Sequence, residues 1–115
     1  MKTLIDKKTK SATLVLSEEL TIARVSAIRD ALQNVLEEAD NLTVDVGVAS
    51  EIDLSFLQLM CSAHRTGASR GKQVTLAGRE NTVLRQAVVE TGYLRMEGCV
   101  LDVGKNCLWV DKYHE

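Results

Sequence analysis

From Ile22 onward the apolar residues recur as Val25, Ile28, Leu32, Val35 and Leu36, separated by Arg24, Arg29, Asp30, Glu37 and Glu38. These spacings keep one apolar stripe on a helix of 3.6 residues per turn, so the pattern predicts a helix from residue 22 with Thr21 as its N-cap. Asn41 breaks the period, and Leu42-Thr-Val-Asp-Val46 then alternates at period two, as a central strand does. Helical spacing returns over residues 55–70, where Leu57, Met60, Cys61 and His64 share a band and Gly71 marks the stop. Ser55-Phe-Leu-Gln58 has the form of a capping box, with Ser55 accepting from a helix amide and Gln58 reaching back.

The flanking segments follow the same logic. Ala12-Thr-Leu-Val-Leu16 reads as a strand, and Leu4-Ile5 before the polar turn at 6–10 can pair with it as a hairpin. Gln73-Val-Thr-Leu-Ala77 reads as another strand. Asn81 then caps a third helix whose Val83, Leu84, Ala87 and Val88 point inward before Gly92 ends it. Cys99-Val-Leu-Asp-Val103 and Cys107-Leu-Trp-Val110 fit a final hairpin around Gly104-Lys-Asn106 or, equally, a strand followed by a docked tail. Strands alternating with helices predict an α/β fold, a small mixed and mainly parallel sheet packed with three or four α-helices, because parallel neighbours need crossovers. The loop at 47–55 follows a parallel strand, the default place for a site in such a sheet.

Composition narrows the function. With 115 residues, 45% hydrophobic and 26% charged, the chain has the make-up of one globular domain over residues 1–115. A net charge of -2 gives no concentrated basic surface, so nucleic acid is not an expected partner; the cluster Lys2, Lys7, Lys8 and Lys10 reads as a solvated turn. No apolar run nears the ~20 residues of a membrane span and the start lacks a secretory core, which predicts a cytoplasmic protein with no direct membrane insertion. Cys61, Cys99 and Cys107 form no C-x-x-C pair, so they read as free thiols rather than a disulfide framework or zinc site. No nucleophile with its base, unequal carboxylate pair or phosphate-cradling Gly loop is legible, and neither an enzyme nor a cofactor is expected. His64 on the apolar side of its helix reads as packed and satisfied, there being no second ligand at suitable spacing.

Ser17-Glu-Glu-Leu-Thr21, Asp45-Val-Gly-Val-Ala-Ser-Glu-Ile-Asp53, Leu57-Gln-Leu, Ala63-His-Arg65 and Gly71-Lys72 together resemble, in order and spacing, the STAS family of sulfate-transporter and anti-sigma-factor-antagonist domains. The resemblance covers about residues 11–94. It implies a non-enzymatic bacterial interaction module, similar to anti-sigma factor antagonists, which bind a kinase-like partner and are released by phosphorylation at the start of the second helix. Relatives also serve as subunits of lipid-transport ATPases and chemosensory assemblies. The expected partner is therefore another protein: an anti-sigma or serine-kinase-like protein, a transporter ATPase or a chemosensory component.

The sequence departs from the family at the switch. Many relatives carry a hydroxyl directly after the aspartate and a glycine two residues later, whereas this chain reads Asp53-Leu54-Ser55-Phe56-Leu57; Glu18 also stands where many carry glycine. Ser55 is then either the phosphoacceptor, displaced by one residue, or only a cap. Asp53 either positions that hydroxyl or a partner, or simply forms the turn. Leu54 and Phe56 either project as an apolar anchor or tuck into the core. Glu51, Asp53, Leu54, Ser55 and Phe56 are the expected partner-binding residues, with Ser55 the phosphorylation candidate. A small-ligand or nucleotide sensor is a further alternative. Trp109 and Tyr113 suit either a docked tail or a dimer contact, which leaves the oligomeric state open.

Overall fold

The computed structural model describes residues 1–91, so the readings for Gly92, Cys99, Cys107, Trp109, Tyr113 and the final hairpin lie outside the described residues. The chain opens with β1 (Lys2–Asp6) and β2 (Ser11–Val15), an antiparallel hairpin. Its turn is held by Asp6, whose Oδ1 accepts from the Lys8 amide at 3.0 Å. β3 (Glu19–Leu20) leads into α1 (Val25–Glu38), which crosses over to β4 (Asn41–Asp45). β5 (Glu51–Ile52) precedes α2 (Leu54–Ser69), which returns the chain to β6 (Gln73–Ala77), and α3 (Thr82–Glu90) follows. The main sheet has the order β1-β2-β4-β6, with β2, β4 and β6 parallel and β1 antiparallel at one edge. This is the mixed, mainly parallel sheet that the alternating pattern predicts. A second ladder, β3 beside β5, is parallel and only two residues long.

The period-two residues sort by face. Ala12, Leu14, Leu42, Val44, Val74 and Leu76 are buried, whereas Thr13, Thr43 and Thr75 lie in register on the opposite face. There the Thr43 and Thr75 hydroxyls approach to 3.3 Å. Ile28, Leu32, Val35 and Leu36 of α1, Phe56, Leu57, Met60 and Ala63 of α2, and Leu84, Ala87 and Val88 of α3 complete the core. Each large aliphatic side chain so buried contributes about 1.5–3 kcal/mol.

α1 starts three residues later than the pattern predicts. Thr21 is not its cap: the Thr21 carbonyl accepts from the Arg24 amide at 2.9 Å, and Arg24 occupies the N-cap position without a side-chain bond. Ile22 falls outside the helix and is 70% exposed. The cause lies far along the chain, because the Ile22 amide donates to Asp53 Oδ2 at 2.9 Å and the segment turns there instead of coiling. α2 ends as expected at Gly71, whose φ of +69° suits glycine. Amides of Gly71 and Lys72 donate to the carbonyls of Ala68 (3.3 Å) and Gly67 (2.8 Å), the paired bonds of a Schellman ending. The Lys72 ammonium donates to the Leu36 carbonyl, tying this end to the last turn of α1.

Candidate interaction site at the start of the second helix

The short β3–β5 ladder builds the platform. Leu20 and Ile52 pair and are buried, while Glu19 and Glu51 pair on the outward face and are exposed. The ladder is prolonged at one end by the Ser50 amide donating to the Glu18 carbonyl (3.4 Å) and at the other by the Asp53 amide donating to the Leu20 carbonyl (3.1 Å). Asp53 is thus delivered, in extended conformation, to the N-cap of α2.

Its carboxylate organises everything around it. Oδ1 accepts from the amides of Ser55 (3.0 Å) and Phe56 (3.3 Å) and from the Ser55 hydroxyl (2.5 Å), while Oδ2 accepts from the Ile22 amide (2.9 Å). Asp53, not Ser55, is therefore the cap, and the expected capping box does not form. An acid one position before the helix reaches the N2 and N3 amides and also favours the positive end of the helix dipole. Partial burial pushes the Asp53 carboxyl up. The hydrogen bonds from the Ser55 hydroxyl and from the amides of Ile22, Phe56 and Ser55 outweigh it and hold the group below its ordinary value of 3.8.

The two apolar residues beside it part company. Leu54, in the first turn, is 44% exposed, and Phe56 is 0% exposed. Phe56 is therefore not available to a partner as an anchor. Its place was legible, because Phe56, Met60, Ala63 and Gly67 follow at spacings of four, three and four, continuing the buried stripe of α2. Of the other expected site residues, Glu51 is exposed and Asp53 and Ser55 are half-buried, so the fold brings Glu51, Asp53, Leu54 and Ser55 together at one edge. Ile22, which the helical period assigns to the core, joins them through its bond to Asp53. His64 is buried in the inward band of α2, and no buried side-chain nitrogen or oxygen among the described residues lacks a hydrogen bond.

The β4–β5 loop is fixed from behind. Asp45 Oδ1 accepts from the Gly47 amide (2.9 Å). The Asn81 side-chain amide donates to the carbonyls of Val46 (2.8 Å) and Ala49 (3.1 Å), while its Oδ1 caps α3 through the Val83 amide (3.0 Å). One asparagine thus serves two structures. The cap was legible in the sequence, but the bonds to a loop more than thirty residues away left no local signal. Among the described residues no group of three or more His, Cys, Asp or Glu could hold a metal ion, and no helix is long and apolar enough to cross a membrane.

A mainly parallel α/β sheet is the arrangement implied by the motifs that bracket the site, with Asp53 rather than Ser55 capping the second helix. The family model described as "Mlab, STAS domain" matches residues 3–93, and the chain belongs to the STAS domain family. STAS domains are protein-interaction and signalling modules, in general without enzymatic activity. No curated protein matches the chain. A solved structure described as "Crystal Structure Analysis of Mglu" is similar in fold, with a TM-score of 0.54 and 16% identity over 64% of this chain. The chain spans 18% of that protein's length, and the likeness concerns the fold alone.

Proposed function

We propose that this chain is a non-enzymatic docking domain of a bacterial assembly. It would engage a protein partner constitutively through Glu51, Asp53, Leu54 and Ser55, with Ile22 beside them. The observation that carries the reading is Leu54. It stands 44% exposed on a helix start whose Ser55 and Phe56 amides are held by the Asp53 carboxylate, which also fastens the Ser55 hydroxyl and the Ile22 amide. An exposed leucine on a rigid frame loses little entropy on burial, which suits an interface anchor. Leu54 has no hydroxyl to phosphorylate, and a partner of the transporter-ATPase or chemosensory type needs none.

The second reading, an anti-sigma antagonist switched by phosphorylation at Ser55, is favoured by one feature: the hydroxyl lies against a carboxylate able to accept its proton. Against it, a phosphoryl group there adds about -1.5 to -2 charges beside that same carboxylate, whose lone pairs already hold the helix amides.

The test pairs two substitutions. Leu54→Asp is expected to abolish co-purification of the native partner, identified by mass spectrometry of complexes cross-linked from position 54, with an unchanged melting temperature. Phe56→Ala is expected to destabilise the fold by about 3–5 kcal/mol, as truncation of a buried aromatic does. Retention of the partner by Leu54→Asp would refute the docking reading. A phosphate found on Ser55 in protein from native cells would establish the switch in its place.

A further inference from the structure

We infer that the partner segment seated on this surface is apolar at its centre and cationic at its margin, its Lys or Arg side chains facing Glu19 and Glu51. The inference rests on the docking reading above. Three large apolar side chains are exposed on the segments that build the site: Ile22 (70%), Val48 (66%) and Leu54 (44%). Ile22 and Leu54 flank the Asp53 carboxylate, one bonded to it through its amide and the other next to it in the chain. Val48 lies in the β4–β5 loop that Asn81 fastens. Exposed apolar side chains on such preorganised segments are what a partner's apolar face can bury.

The charge argument comes from the β3–β5 register. Glu19 stands directly opposite Glu51, and both side chains lie on the exposed face of a parallel ladder, about 4.8 Å apart at ordinary strand spacing. Like charges so placed repel and weaken the ladder. Among the described residues neither makes a salt bridge, whereas their neighbour Glu18 is paired with Arg24. Among the described residues the ladder therefore keeps an uncompensated double negative charge about three residues along the chain from Ile22 and from Leu54. A cation from the partner removes the repulsion at the moment of docking, so the pair contributes to binding what it withholds from the free fold. It also steers oppositely charged segments and disfavours acidic ones.

The probes are two 18-residue amphipathic peptides with the same leucine face, one with lysine and one with glutamate on the flanks, titrated into isotopically labelled protein and followed by NMR. The lysine peptide is expected to shift the amides of Ile22, Val48, Glu51 and Leu54, with binding lost in about 0.5 M NaCl. The double substitution Glu19→Gln/Glu51→Gln is expected to weaken that binding about tenfold while raising the melting temperature, since it relieves the repulsion. Leu54→Asp is expected to abolish it. Equal shifts from both peptides, or a double substitution without effect on binding, would overturn the charge complementarity while the docking surface stands. Shifts elsewhere or none at all, with Leu54→Asp also failing to release the native partner, would overturn both.

Discussion

At the scale of single residues, Asp53 carries more of the site than any other side chain, because one carboxylate satisfies two helix amides, a hydroxyl and the amide of a turn residue thirty-one positions away. Those bonds favour the charged form, so its folded-state pKa lies below the ordinary 3.8. A carboxyl depressed in this way adds stability that is fully present above its unfolded value and disappears as the pH falls through its lower folded value. Asp53→Asn keeps the shape but removes the charge and one acceptor, with an expected loss of about 1–2 kcal/mol near neutral pH. Melting curves of both proteins from about pH 7 down to about pH 2 should start apart and converge only below the unfolded carboxyl value. A gap that stays constant to the acid end would show that the charge of Asp53 contributes nothing to the fold.

At the scale of elements, β4 and β6 meet so closely beyond their ends that Gly78 rests on the backbone of Gly47. A Cβ at Gly78 would lie 2.2 Å from the Gly47 nitrogen, and its φ is +83°. Gly71 shares the positive φ, at +69°, but a Cβ there would have no neighbour within 4 Å. Gly71→Ala is therefore expected to cost only the backbone term of about 1–2 kcal/mol, and Gly78→Ala clearly more, since it adds a clash that must displace the β4–β5 loop. Chemical denaturation of the two variants checks the ranking, and equal losses would show that the loop moves aside freely. The same contrast marks what was legible. Periods of two and 3.6 placed β2, β4, β6 and the three helices of the described residues, because those patterns report burial on one face; β1, exposed throughout, was legible only as the hairpin partner of β2. The start of α1 was not legible, since Ile22 continues the helical spacing while a distant carboxylate holds its amide. Nor was the cap of α2, where Ser55 fits a local template but Asp53, one residue outside the helix, has the better reach. The two-residue β3–β5 ladder is too short to leave any period at all.

At the scale of the whole molecule, the proposed docking surface sits where three separate stretches of chain converge: the end of β3 with Ile22, the β4–β5 loop with the start of α2, and the Asn81 cap of α3. Each of these carries, besides its local bonds, at least one bond to a distant part of the chain. Ile22 is fixed by Asp53, the loop by Asn81, and Asp53 by the Leu20 carbonyl. Such cross-fastening joins the site to the body of the fold, whereas β1, with every residue exposed, pairs among the described residues with β2 alone. Opening of the molecule should therefore begin at β1 and reach the site late. Amide hydrogen exchange is expected to be fast across Lys2–Asp6, slowest in β4 between its two strand neighbours, and close to the β4 rate for the bonded amides of Ile22, Asp53, Ser55 and Phe56. Exchange of those four at the pace of β1 would mean that the surface assembles only when a partner arrives, and the preorganised anchor would have to give way to folding on binding.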